Sequence, residues 1–312
     1  MKLTSVLTLA LIFGAAANAA DPQLMNLVMP DAKVLAGVNV VSAKNSPLGQ
    51  FLITRVTASG SDGLNSLRTA TGFDPLQDVT EILAASVATP GTPGGLILMD
   101  GNFDSAKIVS ALPAGSYTVS TRAGATLVTF TPKEAKAKVT GAVAFIGSTI
   151  AVAGDVASVT AALDRSSASN SIDPALAVQV NALSGTEDAW FVSTVSPASI
   201  MPAKVPDQAA QAAQFLASVK SFSGGVKFGQ SVPVTLDIVA DTPQNAEALA
   251  NVAKFLVSML GTQPNAPTQL LQTLVVKTSG STVDLALTIP EAQIEALIGS
   301  TSKPGPRKAK AN

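Results

Sequence analysis

Histidine and cysteine are both missing from the 312-residue chain. Their absence removes Ser-His-Asp and Cys-His catalysis, histidine-based zinc sites and haem ligation by either residue. Without cysteine there is no disulfide and no acylated-cysteine anchor, so stability must come from the core alone. Charge is sparse: charged residues make up 13% of the chain and the formal net charge is −1. That excludes a nucleic-acid binder driven by a basic field. One Trp, one Tyr and 11 Phe cannot supply the aromatic girdles of an outer-membrane barrel. Beyond the N-terminal segment, no run reaches the roughly 20 apolar residues that a membrane helix needs. The chain also lacks a G-x-x-x-x-G-K-[ST] loop for nucleotide phosphates.

What the chain does have is aliphatic. Hydrophobic residues make up 47% of it, mainly Ala, Val and Leu, which argues against disorder. Lys2 followed by the uncharged, mostly apolar stretch Val6–Ala17 and the small-x-small triplet Ala17-Asn18-Ala19 reads as a secretory signal peptide over residues 1–19. The mature chain then starts at Ala20 or Asp21, and the protein is expected to be exported, periplasmic or extracellular. About 290 residues remain, enough for a large core or two domains.

The clearest pattern is Val232–Leu260. Val232, Val234, Leu236, Ile238 and Ala240 alternate with more polar neighbours, the period of a half-buried strand. Asp241-Thr242-Pro243 supplies a cap and a proline at the first helical position. Ala246, Leu249, Ala250, Ala253, Val257 and Leu260 then repeat at helical spacing. The same grammar occurs earlier, where the apolar run Gly95–Asp100 leads through Asn102–Asp104 into a helix with Ile108, Val109 and Leu112 on one face. Strands are further expected at Ala32–Val41, Val79–Val87, Ala189–Val195 and Ser221–Phe228. Hairpins are expected around Gly124, Gly147 and Gly280, with helices after Pro47, Asp155, Asp207 and Pro290. Ser166–Asp173 is polar and reads as a boundary.

Each side of that boundary orders strand, helix, strand, strand, helix, hairpin, helix. The hairpin around Gly280 is matched to the one around Gly124, which leaves the one around Gly147 without a counterpart. The expected fold is therefore α+β: two similar halves, 20–165 and 174–299, each a largely antiparallel sheet with helices on one face. The basic Pro/Gly-containing tail 300–312 is expected to be disordered.

Few motifs carry chemistry. Ser300 and Lys303 form a Ser-x-x-Lys pair in that tail, where nothing positions it. Asp100-Gly101-Asn102-Phe103-Asp104 opens like a calcium loop, but Ser105 and Ala111 stand where an EF-hand needs glycine and glutamate, so Asp104 reads as an N-cap. Glu187-Asp188 beside Trp190 could do acid/base work on a sugar. The reading preferred here is a solvated turn before a strand whose Trp190 is core. Lys303, Arg307, Lys308 and Lys310 make a cationic tail that reads as a solvated terminus. The alanine-rich helical stretches Ala246–Leu260 and Ala209–Val219 could pack closely on a sheet or leave a groove for an apolar ligand.

The run LMNLVMPDAKVLAGVNV (residues 24–40), then SPLGQFLI, GFDP and VTEILAAS, resembles uncharacterised secreted bacterial proteins. The resemblance covers mainly residues 24–112. It implies no activity, and no residue role comes with it. The expectation is an exported, soluble, non-enzymatic protein that binds or has a structural role at the cell envelope. It has no catalytic, cofactor-binding or metal residues to nominate and no cofactor. Its partner is unspecified, an apolar ligand or an envelope component rather than nucleic acid, and it has no membrane span. One alternative is a carrier of an apolar small molecule or lipid in a sheet/helix groove. A second is a carboxylate-based hydrolase.

Overall fold

The computed structural model describes residues 20–50, 53–54, 66, 68–88, 94–130, 140–166, 172–200, 216–261, 271–290 and 293. The expected signal peptide, most of the helices after Asp207 and Pro290 and the basic tail with Ser300 and Lys303 lie outside these residues.

Strand formation follows the alternating pattern closely. In chain order the strands are β1 (Val34–Asn39), β2 (Val79–Ser86), β3 (Gly95–Gly101), β4 (Tyr117–Arg122), β5 (Ala125–Phe130) and β6 (Gly141–Ile146). They continue with β7 (Ile150–Asp155), β8 (Ala189–Ser193), β9 (Val219–Val226), β10 (Ser231–Ala240), β11 (Val275–Ser279) and β12 (Thr282–Pro290). All pair antiparallel. They form one 12-stranded sheet in the order β11-β12-β10-β9-β8-β1-β2-β3-β7-β6-β5-β4. The class is α+β as expected, but the expected separate sheets are one, because β1 and β8 pair through Val34–Val38 and Ala189–Ser193. An edge strand left unpaired would expose a row of amides and carbonyls, and this pairing removes two such edges.

Helices start where caps put them. They are α1 (Pro22–Leu27), α2 (Val40–Asn45), α3 (Pro75–Asp78), α4 (Ser105–Ser110), α5 (Val156–Arg165), α6 (Pro174–Ser184), α7 (Pro197–Ile200) and α8 (Pro243–Gly261). Asp21, Asn39, Asp74, Asp104, Asp155 and Asp173 each accept from a backbone N–H in the first turn of the helix they precede, which satisfies a donor the helix cannot. The Asn39 cap corrects the expectation that the first strand runs to Val41. Its Oδ1 takes the Ser42 N–H at 2.8 Å, so Val40 already opens a helix.

The core follows from the register. Leu35 stands between Val192 and Ala85, and Leu96 follows Ala85. Gly37 stands between Trp190 and Leu83, followed by Leu98 and Val152. These rows share one face, since side chains alternate along a strand. They are closed over by Leu24 and Leu27 of α1, Val159 and Leu163 of α5, and Leu176 and Val180 of α6, all fully buried in one cluster. Each such side chain contributes on the order of 1.5–3 kcal/mol. The opposite face carries two smaller clusters. Val79, Phe103, Val128, Phe145 and Ala151 pack with Ile108 and Val109 of α4. Ala246 and Ala250 of α8 pack on Ala240 and Val283. Helices therefore cover both faces of the sheet, not one, because α1, α5 and α6 return to the first face while α4 and α8 return to the second.

By position, β12 lies against β10 and β7 lies against β3. The strand placed like the Gly280 hairpin's is thus that of the Gly147 hairpin. The Gly124 hairpin, β4–β5, sits further out at the sheet's edge. This corrects the expected match between the Gly280 and Gly124 hairpins. Turn chemistry alone could not separate them: Gly124, Gly147 and Gly280 all take positive φ.

Candidate functional site: an apolar groove on the sheet

Among the described residues, nothing covers the middle of the sheet between the two clusters of the second face. Ala36 and Val38 of β1 point there, opposite to Leu35 and Gly37. Their register partners are Ala84 and Ile82 of β2, and Phe191 and Ala189 of β8. Val226 of β9 and Val234 of β10 extend the same row. Together these side chains line a groove of about 370 Å³. The hollow has a direct cause. Ala36, Ala84 and Ala189 are short, while Phe191, Ile82, Val226 and Val234 stand up around them. The ring of Phe191 lies over Gly224, where an added Cβ would be 3.1 Å from it, and lies 5.7 Å from the Phe222 ring. Ala84 is exposed, and Ile97 beyond it is 49% exposed, so among the described residues the floor opens to solvent. Among the described residues no ionisable side chain lines the groove. A volume in the low hundreds of Å³ with apolar walls is the usual makeup of a small-molecule site.

The carboxylates lie elsewhere. Glu81 and Asp100 are register partners on the first face. Burial, opposed by the Asp21 N–H that it accepts and reinforced by Asp21 and Asp100, pushes the Glu81 carboxyl up to about 7. Asp237 and Asp284 are partners across β10 and β12, and burial together with that neighbouring carboxyl raises Asp237. Glu187 is raised by burial; its side chain lies where a Cβ on Gly225 would fall. Asp188 accepts from Phe228 N at 2.8 Å, and Trp190 is buried at 6% exposure. The expected acid pair therefore braces a turn and its tryptophan is core.

Asp100 accepts from the Thr80 hydroxyl, Phe103 is buried, and Asp104 caps α4 and meets Lys107 at 2.9 Å. Two acids, Asp78 and Asp104, border one hollow of about 280 Å³. Asp78 spends its carboxylate on Asp74 N at 2.7 Å. Among the described residues no three acids gather as a metal site would require. A larger hollow of about 770 Å³ is polar and bordered by Lys44, Gln50, Arg68 and Asp74. Of the two alanine-rich stretches singled out in the sequence, Ala246–Leu260 packs as α8, and Ala209–Val219 is mostly outside the described residues. The groove itself is built from β-strand alanines. Sequence reasoning missed them because an alternating Ala/Val strand does not announce which face is left uncovered.

No family model matches the chain, and no curated protein matches its sequence. A solved structure described as "Structure of crystal form I of TP0453" is similar over 91% of this chain and 98% of that one, with 12% identity and a TM-score of 0.48. Among the described residues no helix is long and apolar enough to cross a membrane.

Proposed function

We propose that this is an exported, non-enzymatic protein that acts at the cell envelope by binding, and that its ligand is an apolar small molecule or acyl chain held in the sheet groove. The carrying observation is the groove: about 370 Å³, walled by Ile82, Phe191, Val226 and Val234, floored by alanines and, among the described residues, free of ionisable side chains. An apolar ligand entering it removes aliphatic surface on both partners from water, at roughly 25 cal/mol per Å². A charged ligand would meet no oppositely charged side chain among the described residues that line the groove. The export reading is supported by the Lys2, Val6–Ala17 and Ala17-Asn18-Ala19 pattern. We read residues 20–165 and 174–299 as related halves of one binding body. Strand order outward from β1 and β8 supports that reading, running β1-β2-β3-β7-β6 on one side and β8-β9-β10-β12-β11 on the other.

The test is occupancy. Native mass spectrometry of protein purified without detergent should show a bound apolar mass, and a fluorescent fatty acid should bind the stripped protein with one site. Ala84→Phe, at an exposed position on the groove floor, should abolish probe binding while leaving the urea midpoint nearly unchanged. Unaltered probe binding in Ala84→Phe would remove the groove from the account. Turnover of an ester or glycoside that depends on Glu81 or Asp100 would replace it with the hydrolase reading.

A further inference from the structure

The first residues after the expected cleavage point are built into the molecule. Ala20 is 8% exposed and belongs to the main core cluster. Asp21 caps α1 through Gln23 N at 2.6 Å, and α1 buries Leu24 and Leu27 completely. The Asp21 nitrogen sits between the two carboxylate oxygens of Glu81, 3.4 Å from one and 3.3 Å from the other. A cation there would offset the cost of burying the Glu81 charge. The ionisable groups turned toward it are Asp21 and Asp100, both acids. Lys44, on the α2 helix packed against β2, is 3.1 Å from Gln77 O and 3.5 Å from Val79 O. Asn39, the β1 partner of Glu81, is neutral and caps α2. Among the described residues, no ion pair includes Glu81.

We propose that Glu81 is the receptor for the mature N-terminus. Hydrolysis of the peptide bond after Ala19 or Ala20 consumes one water. It releases the leader with a new carboxylate and leaves an α-amine on the remaining chain, which takes up a proton. At Asp21 that ammonium replaces the neutral amide already lying between the Glu81 oxygens. At Ala20 it lies one peptide away. Processing thus converts a half-buried acid that makes no ion pair among the described residues into an ion pair, and the folded state is completed only by removal of the leader. This rests on the export reading above.

The sign is testable. With a neutral amide at Asp21, Glu81 titrates near 7 in the folded chain and near 4.5 when unfolded. The folded state then holds the extra proton, so stability falls as pH rises from about 4.5 to about 7. An ammonium partner pulls Glu81 back down and flattens that fall. Two forms of the processed chain, beginning at Ala20 or Asp21, would be compared: one with a free amine and one with the amine acetylated.

The acetylated chain should lose urea midpoint between pH 5 and pH 8, and the free-amine chain should hold it. The ¹⁵N-monitored α-amine should titrate about one unit above the ordinary 7.7–8.0, a tenfold shift in its proton affinity. Glu81→Gln should erase both differences, which a merely structural role for Glu81 would not do. An α-amine with an ordinary pKa, or an elevation that survives Glu81→Gln, overturns the ion pair. Intact mass of protein recovered from its native source reads the other half of the claim. A retained Met1 overturns processing and the export reading together, whereas a chain starting at Ala20 or Asp21 with an ordinary amine overturns the ion pair alone.

Discussion

Gly37 shows how much one missing side chain can decide. A Cβ there would lie 2.5 Å from two indole carbons of Trp190 and 2.7 Å from its nitrogen, and Trp190 has little room to move at 6% exposure. Gly37→Ala is expected to cost about 1–3 kcal/mol through overpacking, read as a lower urea midpoint with unchanged m. Gly141→Ala is the control, because its added Cβ would meet only ordinary contacts at 3.9 and 4.0 Å; it should stay within about 0.5 kcal/mol. The sequence identified Trp190 as core but could not pair it with Gly37. That contact exists only because β1 and β8 are neighbours. Residue chemistry was otherwise well legible at the caps. Asp104, Asp155 and Asp74 each hold the N–H that their position before a helix implies.

At the scale of elements, α6 is the instructive miss. The sequence reading passes from Asp173 to Ala189 without a helix, although Asp173-Pro174 is a cap followed by proline at the first helical position. Its apolar residues surround it: Leu176 and Val180 are fully buried, while Val178 on the outer side is 69% exposed. With no polar stripe, the period of 3.6 is faint. Leu176→Ala should cost about 2–5 kcal/mol as a buried cavity, whereas Val178→Ala should stay within about 0.5 kcal/mol. Chemical denaturation of the two variants measures both. Equal costs would mean that α6 is not the lid of the core. The strands were easier to read, because apolar and polar residues alternate along them in the sequence itself, as Val232, Val234, Leu236 and Ile238 do in β10.

For the whole molecule, the decisive feature is continuity. The main core joins residues from both sides of the polar stretch 166–173: Leu35, Leu83 and Leu163 from before it, Leu176, Trp190 and Val192 from after it. Such a core has no seam at the 166–173 stretch to open first. Unfolding should therefore appear as one transition, with coincident urea curves from Trp190 fluorescence and from far-ultraviolet circular dichroism. The fragment 20–165 alone would present β1 as a bare edge and Leu35 without its Val192 neighbour. It should self-associate on size-exclusion chromatography. A monomeric fragment and two separated transitions would instead make the halves independent domains.

By itself the sequence determined most of the strands and several capped helix starts, though not α6 or the end of β1, together with the aliphatic nature of the core and the want of imidazole and thiol, since alternation, helical spacing and caps act over a few residues. Tertiary structure alone decided that two expected sheets are one, that helices cover both faces, which hairpin lies against which strand, and that Ala36, Ala84 and Ala189 floor a groove. It also set Glu81 against the Asp21 nitrogen. The physical reason is common to all of these: strand pairing joins residues far apart in the chain, and a side chain's surroundings are fixed by which strands and helices become its neighbours.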